Sequence, residues 1–268
     1  MGLTSSSTGS SVSSDTAVKR KNTGDLLIAL AGNPNVGKST VFNALTGMNQ
    51  HTGNWPGKTV TNAQGEFKTK NSTVILADIP GTYSLMAHSQ EEEVARNFIC
   101  FGGVDAVIVV CDATCLERNL NLAIQTMEIS KNVIICVNLM DEAKRKNIKI
   151  DLQMLKNKLG VPVVGVSAQK KKTLSALVKE IENFKKCDGA HKIKYDEKIE
   201  NAIEILEPVL KKHYKNIINC RWLALRLLDN DSALINEFSK FAEDDILSHT
   251  DILSAVKSAE EYLSDNKI

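Results

Sequence analysis

Short apolar runs alternate with amphipathic segments along most of the chain. The runs at 25–31, 104–111 and 132–138 are rich in Leu, Ile and Val and have the length of a strand, so they predict strands buried on both faces. The same reading predicts further strands at 64–70, 73–78 and 162–166, and helices at 38–46, 89–100, 115–129, 151–159 and 173–184. Because helices separate most of the strands, we predict an α/β domain with a mostly parallel sheet and helices on both faces.

Two departures from this alternation are informative. The segments 64–70 and 73–78 flank Asn71-Ser72, which predicts a hairpin and one antiparallel edge of the sheet. Beyond Cys187 the strand signals vanish, and apolar residues recur at helical spacing, namely at Ile199, Ile203, Leu206, Leu210, Trp222, Leu225, Leu228, Leu234 and Phe238. We therefore predict an α/β domain over 24–187 and a small all-α bundle over 188–268.

Composition limits the classes of protein that fit. The 268 residues are 43% hydrophobic and carry a formal net charge of +1. The chain therefore lacks the excess of basic residues that would indicate a nucleic-acid partner. No apolar run approaches the length of a membrane span, so we expect the chain as given to be soluble. Residues 1–23 begin with a Ser-rich and Thr-rich stretch without periodicity, and we interpret them as a disordered or vector-derived leader.

Cysteines and histidines give no sign of a metal site. The chain has six cysteines and no C-x-x-C pair, which favours reduced structural thiols over zinc binding. Its histidines are scattered, and we interpret them as surface or core residues rather than as metal ligands: His51, His88, His191, His213 and His249.

A phosphate-binding motif follows the first predicted strand. Residues 32–40 read Gly-Asn-Pro-Asn-Val-Gly-Lys-Ser-Thr, the G-x-x-x-x-G-K-[ST] pattern in the strand–helix context that it requires. The glycines allow a tight turn whose N–H groups face phosphate oxygens, and the next helix adds its positive N-terminus. Lys38 is expected to reach the β- and γ-phosphates, and the Ser39 hydroxyl to bind Mg²⁺. The predicted phosphate-binding residues are Gly32, Asn33, Pro34, Asn35, Val36, Gly37, Lys38, Ser39 and Thr40.

Two further motifs stand at the ends of later predicted strands. In Asp78-Ile79-Pro80-Gly81, the Asp78 carboxylate can hold Mg²⁺ through a water, and the N–H of Gly81 can meet the γ-phosphate. In Asn138-Leu139-Met140-Asp141, Asp141 can accept hydrogen bonds from N1–H and the 2-amino group of guanine, whereas adenine would leave it unpaired. Asn138 is expected to tie this loop to the phosphate loop. An Asn/Asp helix cap is the alternative for this tetrapeptide.

The last motif is Ser167-Ala168, where the N–H of Ala168 is expected to bind guanine O6. Four motifs in this order, each at a strand end, resemble the GTPase branch of the phosphate-loop NTPases. The resemblance implies a Ras-like fold, with GTP or GDP and Mg²⁺ as ligands.

Two segments narrow the resemblance to one family. Residues 47–60, which contain Asn54-Trp55-Pro56-Gly57, resemble the first switch of the FeoB ferrous-iron transporter family, and residues 112–120 resemble its D-A-T-x-L-E-R-N-L segment. Residues 160–164 match as well, and residues 221–228 resemble a segment of the family's helical domain, which is associated with stabilising bound GDP.

The family resemblance implies a role for the chain and a set of partners. The chain would be the N-terminal GTP-hydrolysing portion of a bacterial Fe²⁺ transporter, at the cytoplasmic face of the inner membrane, with a nucleotide switch that regulates or drives transport. Its partners would be the family's own membrane-embedded transport domain, absent here, and small cytoplasmic accessory proteins of the same iron-uptake system. Assembly into an oligomer around a pore is a further option, and nucleic acid is not expected as a partner.

The resemblance also assigns catalytic roles. Thr82 stands where many small GTPases carry a Gln that orients water, and it is too short for that task, so slow intrinsic hydrolysis is expected. By resemblance to potassium-activated GTPases, the side chain of Asn35 and backbone carbonyls near Gly53 and Trp55 would hold K⁺ in the place of an arginine finger. Thr59 matches the switch threonine that joins Mg²⁺. The expected catalytic set is Asn35, Lys38, Thr59 and Gly81.

Several alternatives stay open. Asn35 can instead be a turn residue after Pro34, and Trp55 a hydrophobic anchor of a mobile loop. The segment 82–93, with Ser89 as a helix cap, is expected to form the second switch and to relay the nucleotide state to the helical bundle. An RNA- or ribosome-associated K⁺-dependent GTPase would need a basic RNA-binding module, which the mixed-charge tail does not offer. A non-catalytic nucleotide sensor is the third alternative.

Overall fold

The computed structural model describes residues 20, 22, 24–47, 50–54, 61–86, 89–183, 193–215 and 217–265. Among these residues no helix combines the length and apolar character needed to cross a bilayer. Most of the predicted leader over 1–23 and the predicted domain boundary at 187/188 lie outside the described residues. Arg20 is described, and its guanidinium donates to the carbonyl of Gly103 at 2.6 Å.

A seven-stranded sheet forms the first part of the described chain, in the order β2-β3-β4-β1-β5-β6-β7. Its strands are β1 (Leu26–Gly32), β2 (Gln50–Asn54), β3 (Thr61–Lys68), β4 (Thr73–Asp78), β5 (Ala106–Asp112), β6 (Val133–Asn138) and β7 (Val163–Gly165). β3 runs antiparallel to both β2 and β4, and the remaining pairs are parallel. β1 is buried along its whole length between β4 and β5, so the loop after it emerges at the centre of the sheet.

Helices cover both faces of this sheet. They are α1 (Lys38–Thr46), α2 (Gln90–Phe101), α3 (Leu116–Ile129), α4 (Met140–Arg145), α5 (Leu152–Leu159) and α6 (Leu174–Asn183). Side chains of α2 and α3 pack in one hydrophobic core, and those of α1 and α6 pack in the core on the other face. The predicted cap is confirmed, since Ser89 Oγ accepts a hydrogen bond from the N–H of Glu92 at 3.2 Å.

The second part of the described chain is helical. It consists of α7 (Glu197–Tyr214), α8 (Cys220–Leu228), α9 (Ser232–Ala242) and α10 (Thr250–Asp265), which share a third hydrophobic core. Trp222 and Leu234 depart from this pattern, because they pack in the core formed by the sheet, α2 and α3. The predicted fold, an α/β domain with a mostly parallel sheet followed by a helical part, is confirmed.

The largest differences from the sequence prediction concern three elements. β2 was not predicted because its sequence, Gln-His-Thr-Gly-Asn, lacks an apolar alternation; it forms through backbone pairing with β3. The same pairing extends β3 toward the N-terminus, so that it starts at Thr61 rather than at residue 64. β3 ends at Lys68 rather than at residue 70. α4 was missed because it is only six residues long.

Candidate nucleotide-binding site

The phosphate loop joins β1 to α1, and its backbone needs the residues found there. Asn35 and Gly37 have positive φ values of 67° and 82°. A Cβ atom on Gly32 would lie 2.7 Å from the carbonyl oxygen of Val110, and one on Gly37 would lie 2.4 Å from Nδ2 of Asn138. Gly37 caps α1 without a side-chain acceptor, which leaves the N–H groups of the first turn to an anion.

Lys38 and Asp78 face each other across this loop. The Lys38 ammonium forms an ion pair with the Asp78 carboxylate and also donates to the carbonyl oxygen of Ile79 at 2.7 Å. Burial raises the pKa of Asp78 above its ordinary value, and the charge of Lys38 offsets part of that rise. The hydroxyl-bearing residues Ser39 and Thr40 are exposed beside them. The cation and the carboxylate thus belong to residues that the sequence analysis assigns to phosphate binding and to Mg²⁺.

Asn138 connects the phosphate loop to the loop after β7. Its Nδ2 donates to the carbonyl oxygen of Val36 at 3.0 Å, and its Oδ1 accepts from the N–H of Ala168 at 3.0 Å. The side chain is buried, so both bonds are shielded from water. The N–H of Ala168, expected to bind guanine O6, therefore already has an acceptor, which the base would have to share.

Asp141 lies in the first turn of α4, next to Ser167. Its backbone N–H donates to Ser167 Oγ at 3.2 Å, and its carboxylate lies 3.6 Å from Nζ of Lys170. Partial desolvation favours the neutral carboxyl, but a hydrogen bond between the carboxylate itself and Ser167, together with the charge of Lys170, leaves the pKa of Asp141 below its ordinary value. Leu139, at the N-cap of α4, has a φ of 62°, a left-handed conformation that bulky residues rarely adopt.

The first switch is described only in part. Gly53 lies in β2, where it pairs with Asn62 of β3. Trp55 and Thr59, predicted to help hold K⁺ and Mg²⁺, lie outside the described residues. Asn35 is exposed, and its left-handed backbone fits the alternative of a turn residue after Pro34.

Gly81 and the start of the predicted second switch, residues 82–93, lie against the phosphate loop. A Cβ atom on Gly81 would lie 3.4 Å from Cα of Pro34, and the N–H of Thr82 donates to the carbonyl oxygen of Gly32 at 3.3 Å. Thr82 is 4% exposed, and its hydroxyl is bonded to the backbone of Ser84. The Thr82 side chain is therefore held inside its own loop.

Helix α3 supplies contacts to the second switch that the sequence analysis missed. The guanidinium of Arg118 lies 4.4 Å from the ring centroid of Tyr83. Gln125 Oε1 accepts from the N–H of Leu85 at 2.7 Å. Arg118 belongs to the D-A-T-x-L-E-R-N-L segment, which the sequence analysis recognised. The spacing of residues in that segment does not indicate which residue Arg118 contacts.

The helical part also contacts the predicted second switch, α2 and α3. Arg226 of α8 donates to Sδ of Met86 at 3.4 Å. Arg96 of α2 forms an ion pair with Asp231 at 3.2 Å, and its side chain is 1% exposed. Asn219 Nδ2 donates to the carbonyl oxygen of Glu128 in α3 at 2.7 Å. Polar contacts as well as Trp222 therefore join the two parts.

Comparisons with known proteins agree with this arrangement. The model of a family described as Ferrous iron transport protein B matches residues 26–181, and one described as FeoB cytosolic helical domain matches residues 195–266. The Fe(2+) transporter FeoB of Escherichia coli (strain K12) is 37% identical over 210 residues, which are 77% of this chain and 27% of that protein. The chain thus spans 27% of the length of this curated relative and of its counterpart in Shigella flexneri.

Solved structures show the same likeness. The cytosolic domain of the T. maritima FeoB iron transporter in apo form has a TM-score of 0.74 and 37% sequence identity, covering 90% of this chain and 97% of that chain. Its GMPPNP form has a TM-score of 0.74 and 37% identity, covering 90% and 96%. Its GDP form II has a TM-score of 0.73 and 37% identity, covering 90% and 97%.

Proposed function

Because the chain belongs to the ferrous iron transport protein B (FeoB) family and carries both its G domain and its cytosolic helical domain, we propose that it binds GTP and hydrolyses it to GDP and phosphate. The phosphates would lie on the loop between Gly32 and Thr40. The base would lie between Asp141 and Ala168.

The contact that carries this proposal is the pair of hydrogen bonds made by Asn138. Through Val36 and Ala168 it joins the phosphate loop to the base-binding loops, so both recognition elements form one unit at the carboxyl edge of the sheet. The relatives solved as GDP and GMPPNP forms support a guanine nucleotide as the ligand.

The residues present also fit Mg²⁺. Ser39 offers a hydroxyl, and Asp78 offers a carboxylate that is ionisable and already faces a cation, Lys38. Oxygen ligands of this kind suit Mg²⁺, with Asp78 acting through a water. When bound, the ion would neutralise charge on the phosphates. Thr59 belongs to the same proposal, although it lies outside the described residues.

A K⁺ ion is the second cation that we propose. The exposed amide of Asn35 offers an oxygen at the phosphate loop, and carbonyls near Gly53 and Trp55 would add others. When bound, K⁺ would offset charge that develops between the β- and γ-phosphates. Asn33 supports the proposal that this loop binds a ligand. Within the described part of the chain, neither polar atom of its buried amide has a hydrogen-bond partner, and ligand binding would supply one.

For the whole protein we propose Fe²⁺ uptake at the cytoplasmic face of the bacterial inner membrane. Its partners would be the membrane-embedded transport domain and small cytoplasmic accessory proteins. The contacts Arg226–Met86 and Arg96–Asp231 provide a route from the second switch to the helical part. The comparisons give no support to an RNA- or ribosome-associated GTPase.

The proposal is tested by nucleotide binding and turnover. GDP is expected to bind in preference to ADP, and GTP turnover with Mg²⁺ is expected to be faster in KCl than in NaCl at equal ionic strength. Lys38→Ala should lose turnover, which excludes a contaminating enzyme. Equal binding of ADP and GDP would contradict the GTPase. Equal rates in the two salts would remove only K⁺ from the proposal.

A further inference from the structure

Two histidines and an aspartate converge in the helical part, away from every motif of the nucleotide site. His213 lies in the last turn of α7, and His249 and Asp251 lie at the start of α10. One potential ligand atom from each residue lies within 4.8 Å of the others. His213 Nε2 is 3.1 Å from Oδ2 of Asp251, and the two imidazole centroids are 4.5 Å apart. Packing of α7 against α10 thus brings together residues that appear unrelated in the sequence.

A second layer of hydrogen bonds orients His249. Its Nε2 lies 2.8 Å from Oδ2 of Asp244, and the same carboxylate oxygen accepts from the hydroxyl of Tyr214 at 2.7 Å. Tyr214 is 2% exposed, so it anchors Asp244 to the hydrophobic core. When Nε2 donates to the carboxylate, the lone pair of His249 is on Nδ1. Metal-binding histidines are oriented by carboxylates in this way.

We propose that His213, His249 and Asp251 bind a divalent first-row transition-metal ion. Two imidazoles and one carboxylate are the donor set of many Fe²⁺ and Zn²⁺ sites, whereas Mg²⁺ and Ca²⁺ prefer oxygen ligands alone. The 3.1 Å between His213 and Asp251 suits two adjacent ligands on one ion, because metal–ligand bonds of about 2.1 Å at right angles place the ligand atoms about 3 Å apart.

The surroundings allow an ion to enter and leave. The side chains of His213 and His249 are 27% and 26% exposed, and that of Asp251 is 46% exposed, so water can fill the remaining coordination positions. A bound ion would tie the end of α7 to the start of α10. It is therefore expected to raise the midpoint of thermal unfolding, because it binds the folded state and not the unfolded chain.

The variant D251N separates the effect of a bound metal on the melting temperature from the effect of the metal-free contacts. An exposed His213–Asp251 pair contributes little to stability, so D251N is expected to leave the melting temperature in EDTA nearly unchanged. The same variant should abolish any rise in melting temperature on addition of metal. Circular dichroism in EDTA shows whether each variant is folded before metal is added.

The experiment uses the chain without an affinity tag, stripped of metal with EDTA and dialysed. Co²⁺ is titrated while its visible absorption bands are recorded, and Fe²⁺ (without oxygen), Mn²⁺, Zn²⁺ and Mg²⁺ are titrated by calorimetry. One equivalent of Co²⁺ or Fe²⁺ should bind, and Mg²⁺ should not compete. H213Q, H249Q and D251N should each lose affinity tenfold or more. D244N, at the positioning residue, should lose about 10–100-fold.

H88Q is the matched control, since it removes a histidine from a distant position in the sequence and should bind Co²⁺ as the unaltered chain does. Failure of the unaltered chain to bind would overturn the proposal. So would binding that survives in both H213Q and D251N, because the metal would then lie elsewhere, for example on the exposed thiol of Cys115. Neither readout depends on GTP, so a failed GTPase proposal leaves this test intact.

Discussion

Lys38 and Asp78 form an ion pair between the phosphate loop and the end of β4. The same ammonium group donates to the carbonyl oxygen of Ile79 at 2.7 Å. An ammonium group has three donors, so a phosphate chain that reaches Lys38 competes with both partners. In this arrangement the Asp78 carboxylate balances the charge of Lys38. In the proposed nucleotide complex the phosphates would balance it.

The first prediction concerns Asp78→Asn. Removing the carboxylate removes the group that competes with the phosphates for Lys38. The affinity for GDP, measured in EDTA, should therefore stay the same or rise. The gain in affinity that Mg²⁺ provides should fall by about tenfold or more, since a charged partner is lost. Fluorescent GDP titrations with and without Mg²⁺ measure both. Asp151→Asn, at the N-cap of α5, is the control and should change neither. Weaker GDP binding of Asp78→Asn in EDTA would count against the competition.

The second prediction compares two glycines with left-handed backbones. Gly37 has φ 82° and Gly47 has φ 66°, so alanine at either position should cost about 1 kcal/mol of stability or more. A methyl group on Gly37 would also clash with Nδ2 of Asn138, whereas among the described residues no atom beyond the chain neighbours lies within 4 Å of one on Gly47. Gly37→Ala should therefore lose nucleotide binding and Gly47→Ala should keep it. Similar GDP affinities of the two variants would contradict this account.

Much of the nucleotide site can be predicted because its signals are local. The spacing of Gly32, Gly37 and Lys38 along a few residues sets the shape of the phosphate loop, and the preceding apolar run places it at the end of a buried strand. The same holds for Asp78 and Asn138, which are the last residues of strands β4 and β6.

The remainder depends on pairs that are distant in the sequence. Nothing near Arg118 indicates that it lies over the ring of Tyr83, and nothing near His213 indicates the position of His249. Trp222 fits a helical stripe of the bundle, yet it is buried in the core of the sheet domain. A periodic pattern shows that a side chain is buried but does not show which element covers it.

The third prediction separates two roles of Asn35. Asn tolerates the left-handed backbone at this position, where φ is 67°, better than most residues do. In the proposed K⁺ site, its side-chain oxygen would also bind the ion. Asn35→Gly keeps the backbone and removes the amide, so K⁺ stimulation of GTP hydrolysis should vanish while GTP affinity stays largely intact. Asn35→Ala should lose the stimulation as well and also destabilise the loop by about 1 kcal/mol. Undiminished K⁺ stimulation in Asn35→Gly would remove Asn35 from the proposed cation site.

The fourth prediction concerns base recognition by Asp141. Its ionised carboxylate only accepts hydrogen bonds, which matches the donors of guanine. Asp141→Asn replaces one acceptor with an amide donor, so GDP affinity should fall by about 1–3 kcal/mol, and affinity for xanthosine diphosphate, which has a carbonyl at position 2, should rise. Competition titrations of the two nucleotides measure the change in preference. Glu142→Gln is the neighbouring control. An unchanged preference would show that the base is read elsewhere.

The fifth prediction concerns the ion pair between Arg96 of α2 and Asp231 of α9. Asp231 Oδ1 also caps α9 through the N–H of Leu234 at 3.0 Å, and Asn can serve the same cap. Asp231→Asn therefore isolates the loss of charge beside a guanidinium that is 1% exposed. Removing one partner of a buried pair leaves the other uncompensated, so urea unfolding should show a loss on the order of 3 kcal/mol.

Two further variants decide whether the buried charge of Arg96 is responsible. Arg96→Met removes the guanidinium but keeps an apolar side chain that can fill part of its space, so it should destabilise the protein less than Asp231→Asn does. The double variant should then be more stable than Asp231→Asn alone, since it has no unpaired charge to bury. Asp245→Asn, which alters the aspartate that caps the short helical turn Ile246–Ser248, is the control and should cost little. If Arg96→Met destabilises more than Asp231→Asn, the packing of the arginine stem matters more than its charge, and the ion pair is not what joins α2 to the helical part.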